Sequence, residues 1–136
     1  LDMGKDFYDN FKETQETFSE IEDSTNINLK KIIFGDDSTM LNMTNFTQIS
    51  IFSTSLGIYK ALESNFGFTA EKKKINYMLG HSLGEYSALA ASKSLTIPQA
   101  SMLLKIRGEL MNSAIDPNTT SMAALIGKTC EEIEKL

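Results

Sequence analysis

The sequence predicts an α/β fold, and three observations carry that expectation. Apolar residues at three- and four-residue spacing mark amphipathic helices from Phe7 to Phe66 and again beyond Ile97. The run Ile75-Asn76-Tyr77-Met78-Leu79 is rich in strand formers and ends at Gly80. A stretch of small and apolar residues, Leu83 to Ala91, follows at once and suits a buried helix. The order is therefore strand, sharp turn, helix.

The elements follow in chain order. Phe7, Phe11, Phe18 and Ile21 recur at helical steps among acids and lysines, in one bent helix or two. Leu29 to Phe34 reads as a brief helix stopped at Gly35. Ile49, Phe52, Leu56, Tyr59, Leu62 and Phe66 trace one stripe on a helix over about Asn45 to Phe66, with Thr44 or Asn45 as its cap. The lysines Lys72 to Lys74 fit a solvated connector better than an anion patch. Beyond the turn at Ser94 and Leu95, Thr96 and Gln99 form a capping box with Pro98 in the first turn. The helix it opens should reach about Ile115, before Pro117. Met122 to Ile126 reads as a second strand, and Thr129 with Glu132 as a second capping box.

Composition removes several classes of function. The 136 residues suffice for one domain with a real core. With 18 acidic and 13 basic side chains the net charge is −5, which argues against gripping a nucleic-acid backbone. The 41% hydrophobic and 23% charged content is that of an ordinary globular chain. A single cysteine, Cys130, makes no internal disulfide, and with the single histidine, His81, it leaves no set of metal ligands. No apolar run approaches the ~18 residues of a membrane span. The chain opens on Leu1 without a targeting presequence. These features point to a piece of a longer cytoplasmic protein, with a mitochondrial or plastid location as the alternative.

The chemistry concentrates at Gly80-His81-Ser82-Leu83-Gly84. A serine flanked by glycines two positions away on each side, between strand and helix, has the form of a nucleophile elbow. The turn is tight enough that Gly80 and Gly84 are expected to have no room for side chains. Ser82 is then lifted clear at a helix N-terminus, where the N–H of Leu83 can meet a developing oxyanion. A Ser/Gly turn without chemistry is the competing reading. His81 sits on the wrong side of the chain to take the proton of its neighbour and reads as a structural histidine bonded within the elbow. The chain thus offers a nucleophile without a histidine base.

Arg107 is an independent clue. It lies four residues beyond Leu103, three beyond Leu104 and four before Met111, in the expected buried face, and is the only arginine in the sequence. A charge facing the core needs an anion, and a guanidinium binds a carboxylate through two hydrogen bonds. That anion is either a structural partner, Glu85 or Glu109, or the carboxylate of a substrate.

Gly80-His81-Ser82-Leu83-Gly84-Glu85-Tyr86-Ser87-Ala88-Leu89, followed by Arg107-Gly108-Glu109-Leu110-Met111, resembles malonyl-CoA:acyl carrier protein transacylases and the acyltransferase domains of fatty acid and polyketide synthases. Leu1 to Phe18 resembles the helix after that family's N-terminal glycine- and glutamine-rich motif. Thr47-Gln48 resembles its Thr-Gln-Pro segment, with Ile49 replacing proline, and Ser121 to Gly127 resembles the first strand of its small subdomain. The resemblance implies an α/β-hydrolase-like large subdomain with a parallel sheet over residues 1–119, and the start of a ferredoxin-like subdomain over 120–136. It implies malonyl transfer from CoA to the phosphopantetheine thiol of acyl carrier protein, in fatty acid biosynthesis. In that scheme Ser82 is the nucleophile, the Leu83 N–H an oxyanion donor, and Arg107 and Gln48 bind substrate. His81, Gly80 and Gly84 shape the elbow. Malonyl-CoA is a substrate and no cofactor is held tightly. The second oxyanion donor, the general-base histidine and most of the small subdomain are expected outside this chain, which alone should be inactive. The competing readings are a serine esterase or lipase with the same elbow, and a non-catalytic remnant that binds carrier protein.

Overall fold

The computed structural model describes residues 1–67, 75–114, 119 and 125–134. Among these, seven helices follow one another: α1 (Lys5–Asn10), α2 (Lys12–Thr25), α3 (Leu29–Phe34), α4 (Thr44–Phe66), α5 (Gly84–Ala91), α6 (Ile97–Ser113) and α7 (Cys130–Ile133). The amphipathic opening is two helices, because Phe11 turns extended (φ −126°, ψ 118°) between α1 and α2. Asn28 caps α3 by accepting the Lys31 N–H at 2.9 Å, and the helix stops at Gly35 as expected.

Helix α4 is the axis of the fold, packed against α2, α6 and α5. Ile49, Phe52 and Leu56 from its stripe are buried with Phe18 and Ile21 of α2, Leu29 and Ile33 of α3, and Ala100 and Leu104 of α6. Burial of such aliphatic and aromatic side chains stabilises the chain by about 1.5–3 kcal/mol each. The stripe fades toward the helix end, where Phe66 is exposed. Neither Thr44 nor Asn45 is the cap: Met43 occupies that position without a side-chain bond. The Thr47 hydroxyl instead donates to the carbonyls of Leu41 and Met43, which fastens the entering loop to the first turn.

Both capping boxes form. The Gln99 N–H donates to Thr96 Oγ1 at 3.2 Å and the Thr96 N–H returns to Gln99 Oε1 at 3.0 Å, with Pro98 in the first turn. Thr129 and Glu132 repeat the arrangement on α7.

Several expectations are corrected. Residues 75–79 are not a strand: no described segment offers them a ladder, and Tyr77 and Leu79 are 86% and 91% exposed. The described residues are therefore helical, without the anticipated sheet. Helix α5 is not the buried helix expected, since only Ala90 is fully buried and Tyr86 packs against the core in part. Helix α6 buries Ala100, Ser101, Leu104 and Gly108, while Leu103, Leu110 and Met111 stand exposed. Apolar spacing defines a helix face without supplying a neighbour to cover it. Lys72 to Lys74, the boundary at 119/120 and residues Met122 to Ala124 of the second strand lie outside the described residues, and Leu125 and Ile126 are irregular and exposed.

Candidate functional site

The elbow is built by its glycine and its serine. A Cβ on Gly80 would lie 1.9 Å from the carbonyl carbon and oxygen of Gly84 and 2.4 Å from the Glu85 nitrogen, so only glycine fits. Gly84 departs from expectation: among the described residues a Cβ there meets nothing within 4 Å, because that side of the first turn of α5 faces open space. Ser82 has φ +56°, a left-handed conformation that costs a residue with a Cβ about 1–2 kcal/mol. The turn holds this conformation through the Gly84 N–H to the His81 carbonyl at 2.9 Å and the Glu85 N–H to the Ser82 carbonyl at 3.2 Å. Leu83 and Tyr86 pack against the core and anchor the turn from beneath.

The result is an exposed Ser82 at the start of α5. The Leu83 N–H has no acceptor among the described residues and is free to meet a ligand. His81 is exposed, and its imidazole makes no hydrogen bond among the described residues; only its backbone carbonyl ties the elbow. The expected hydrogen bond of this ring within the elbow is therefore not made among the described residues.

Arg107 reaches across from α6. Its Nη1 donates to Gln48 Oε1, and its Nη2 donates to Ser82 Oγ at 3.0 Å. Neither Glu85 nor Glu109 pairs with it among the described residues, so its partners are neutral and no protein carboxylate neutralises it there. It is half-buried, beside the packed face of α6 and not in the middle of it. Gln48 is 5% exposed. Its Nε2 donates to Met111 Sδ at 3.4 Å, which leaves its oxygen toward the guanidinium. The sequence offers Met111 as an apolar position and as the last residue of the Arg107–Met111 motif, and its spacing of four from Arg107 is consistent with a shared site.

Among the described residues the site thus joins the hydroxyl of a strained serine, an unengaged backbone N–H and a guanidinium lacking an anion. Such a group can hold a ligand carboxylate beside a nucleophile. Among the described residues no group of three or more His, Cys, Asp or Glu side chains gathers to hold a metal.

Comparison with known proteins decides the family. The profile of the acyl transferase domain matches residues 2–135. The chain belongs to the acyl transferase domain family. This acyl transferase chain is 30% identical over 136 residues to the malonyl CoA-acyl carrier protein transacylase of Bacillus subtilis (strain 168), covering all of this chain and 41% of the relative. The transacylase of the same name from Escherichia coli (strain K12) is 33% identical over 125 residues, 87% of this chain and 39% of the relative. The chain therefore spans about two fifths of the length of the curated relatives it matches. Its fold matches the acyl-carrier-protein-S-malonyltransferase of Bartonella henselae with a TM-score of 0.89 at 34% identity, over 99% of this chain and 42% of that one. It also matches a malonyl-transacylase solved in complex with a type II PKS acyl-carrier protein, with a TM-score of 0.71 at 31% identity, over 85% of this chain and 36% of that one. No helix among the described residues is long and apolar enough to cross a membrane.

Proposed function

We propose that the protein containing this chain transfers a malonyl group from CoA to the phosphopantetheine thiol of acyl carrier protein, in fatty acid biosynthesis. The observation that carries this reading is the contact of Arg107 with Ser82 at 3.0 Å, with no carboxylate on the guanidinium among the described residues. A malonyl thioester has a free carboxylate three carbons from its sulfur, so one molecule can meet the arginine and present its carbonyl carbon to the serine.

In the first half-reaction Ser82 Oγ attacks the thioester carbonyl and forms a C–O bond. The oxyanion that develops is met by the Leu83 N–H at the start of α5. Collapse breaks the C–S bond, and CoA leaves with the proton surrendered by the serine. In the second half-reaction the carrier thiol attacks the serine ester and restores the hydroxyl, completing a ping-pong cycle. Gln48 holds Arg107 toward the acyl group. The base that carries the proton belongs to the longer protein, since His81 makes no bond to Ser82 among the described residues. On this reading the 136-residue chain alone is inactive, and the sheet and small subdomain complete around it.

The test is intact-mass analysis of the full-length protein after mixing with malonyl-CoA. A malonyl adduct on Ser82 that acyl carrier protein removes is expected, and Ser82→Ala should abolish it. Rapid release of free malonate without an adduct would replace this reading with that of an esterase.

A further inference from the structure

Gly108, next to Arg107, is buried where α6 crosses the start of α4. A Cβ there would stand 2.7 Å from Asn45 Cα, 3.2 Å from its carbonyl oxygen and 3.4 Å from its carbonyl carbon. These are backbone atoms of a helix, which cannot swing aside as a side chain can. Any larger residue must therefore push the two helices apart by several tenths of an ångström. Gln48 lies three residues along α4 from Asn45, on the same face, and Arg107 precedes Gly108 on α6. The close approach of Gly108 to the backbone of Asn45 thus sits beside the bond between the Arg107 guanidinium and the Gln48 oxygen.

We propose that Gly108 is a positioning residue: by seating α6 against the backbone of Asn45 it sets the reach of Arg107 to Gln48 and Ser82, and so the preference for an acyl group with a carboxylate. The inference rests on the proposed role of Arg107. Gly108 touches neither substrate nor serine; it acts through the spacing of two helices. The requirement is stricter than packing alone, because a guanidinium held from α4 and delivered to an elbow on α5 tolerates little displacement.

The test is the ratio of malonyl to acetyl uptake on Ser82 in the full-length protein, from CoA thioesters, read by intact mass. A ratio is independent of the fraction of protein folded, so loss of folded enzyme alone does not move it. Gly108→Ala should lower the ratio by roughly tenfold, mainly through the KM for malonyl-CoA, with kcat for acetyl transfer changed far less. Gly57→Ala is the control: its Cβ would crowd Thr14 Cγ2 at 2.7 Å between α4 and α2, away from Arg107, and the ratio should hold. Should Gly108→Ala fold poorly, the ratio is read in Asn45→Ala/Gly108→Ala, where removing a buried amide oxygen that has no partner among the described residues offsets part of the lost stability while the backbone clash remains. An unchanged ratio in whichever of these variants folds overturns the inference, as does an equal fall in Gly57→Ala or failure of both Gly108 variants to fold. Unmutated protein and Arg107→Ala are run in parallel. If the unmutated protein takes malonyl and acetyl alike, or Arg107→Ala keeps the preference, the role of Arg107 fails, and not merely that of Gly108.

Discussion

The Nη2 of Arg107 donates to Ser82 Oγ across 3.0 Å, joining residues 25 positions apart in the chain. The serine is lifted by a turn with a positive φ, and the arginine arrives from a separate helix whose spacing is set elsewhere. Among the described residues this cation beside an uncharged hydroxyl has no anion to satisfy it. On the proposed function, that imbalance suits the pair to a substrate that brings the missing charge.

Arg107→Ala in the full-length protein should therefore discriminate between acyl groups. A hydrogen bond to a charged group contributes about 1.5–3 kcal/mol, so malonyl uptake on Ser82 should fall by roughly 10- to 100-fold. Acetyl uptake has no carboxylate to lose and should change far less. Arg107→Lys should restore only part of the loss, because an ammonium lacks the planar fork that reaches Gln48 and the ligand together. Competition between malonyl- and acetyl-CoA, read by mass spectrometry, checks both variants. Parallel losses for the two thioesters would show that the arginine supports the serine and not the carboxylate.

Gln48→Leu should act in the same direction and more weakly. The substitution keeps the buried volume but removes the oxygen that receives Arg107 Nη1 and the amide that donates to Met111. Arg107 is half-buried and can recover part of the loss from water, so the cost should be about 1 kcal/mol, or several-fold in the malonyl KM. Steady-state kinetics with both thioesters checks it. An effect on kcat alone would place Gln48 in the chemical step.

These residues also show what the chain reveals before folding. Both capping boxes are legible because the donor and acceptor lie three residues apart and need no tertiary partner. The elbow is legible for the same reason: a Cβ on Gly80 would collide with the backbone of Gly84 within one turn. The pairing of Arg107 with Gln48 spans 59 positions and depends on how closely α6 lies on α4, which no local pattern encodes. The anticipated strand at 75–79 does not form among the described residues for a related cause, since a strand is completed by a neighbour and none of these stands beside it. The apolar residues Leu103, Leu110 and Met111 mark a helix face correctly, yet nothing described covers it.

Thr96→Ala should destabilise the full-length protein by about 1 kcal/mol. The side chain satisfies the Gln99 N–H, and Gln99 returns the bond to the Thr96 N–H at 3.0 Å, so one substitution weakens both halves of the box. Thr96→Ser retains the hydroxyl and should recover most of the loss. The urea midpoint at constant m-value measures it. Malonyl uptake per folded molecule should be unchanged, since the cap lies about three turns before Arg107 on the same helix.

The two glycines of the elbow should behave differently, although the motif treats them alike. Gly80→Ala puts a methyl group 1.9 Å from the Gly84 carbonyl, a distance no relaxation of a side chain can relieve. The turn must open, which moves Ser82 Oγ away from the Leu83 N–H and from Arg107; a displacement near 1 Å should cost about 100-fold in acylation. Gly84→Ala meets nothing within 4 Å among the described residues, and it replaces glycine by the best helix former in the first turn of α5. Stability should hold or rise by up to about 1 kcal/mol, with acylation kept within several-fold. Intact-mass acylation rates and urea midpoints for the two variants make the comparison. Equal damage from both would mean that a segment beyond the described residues closes over Gly84 in the full-length protein.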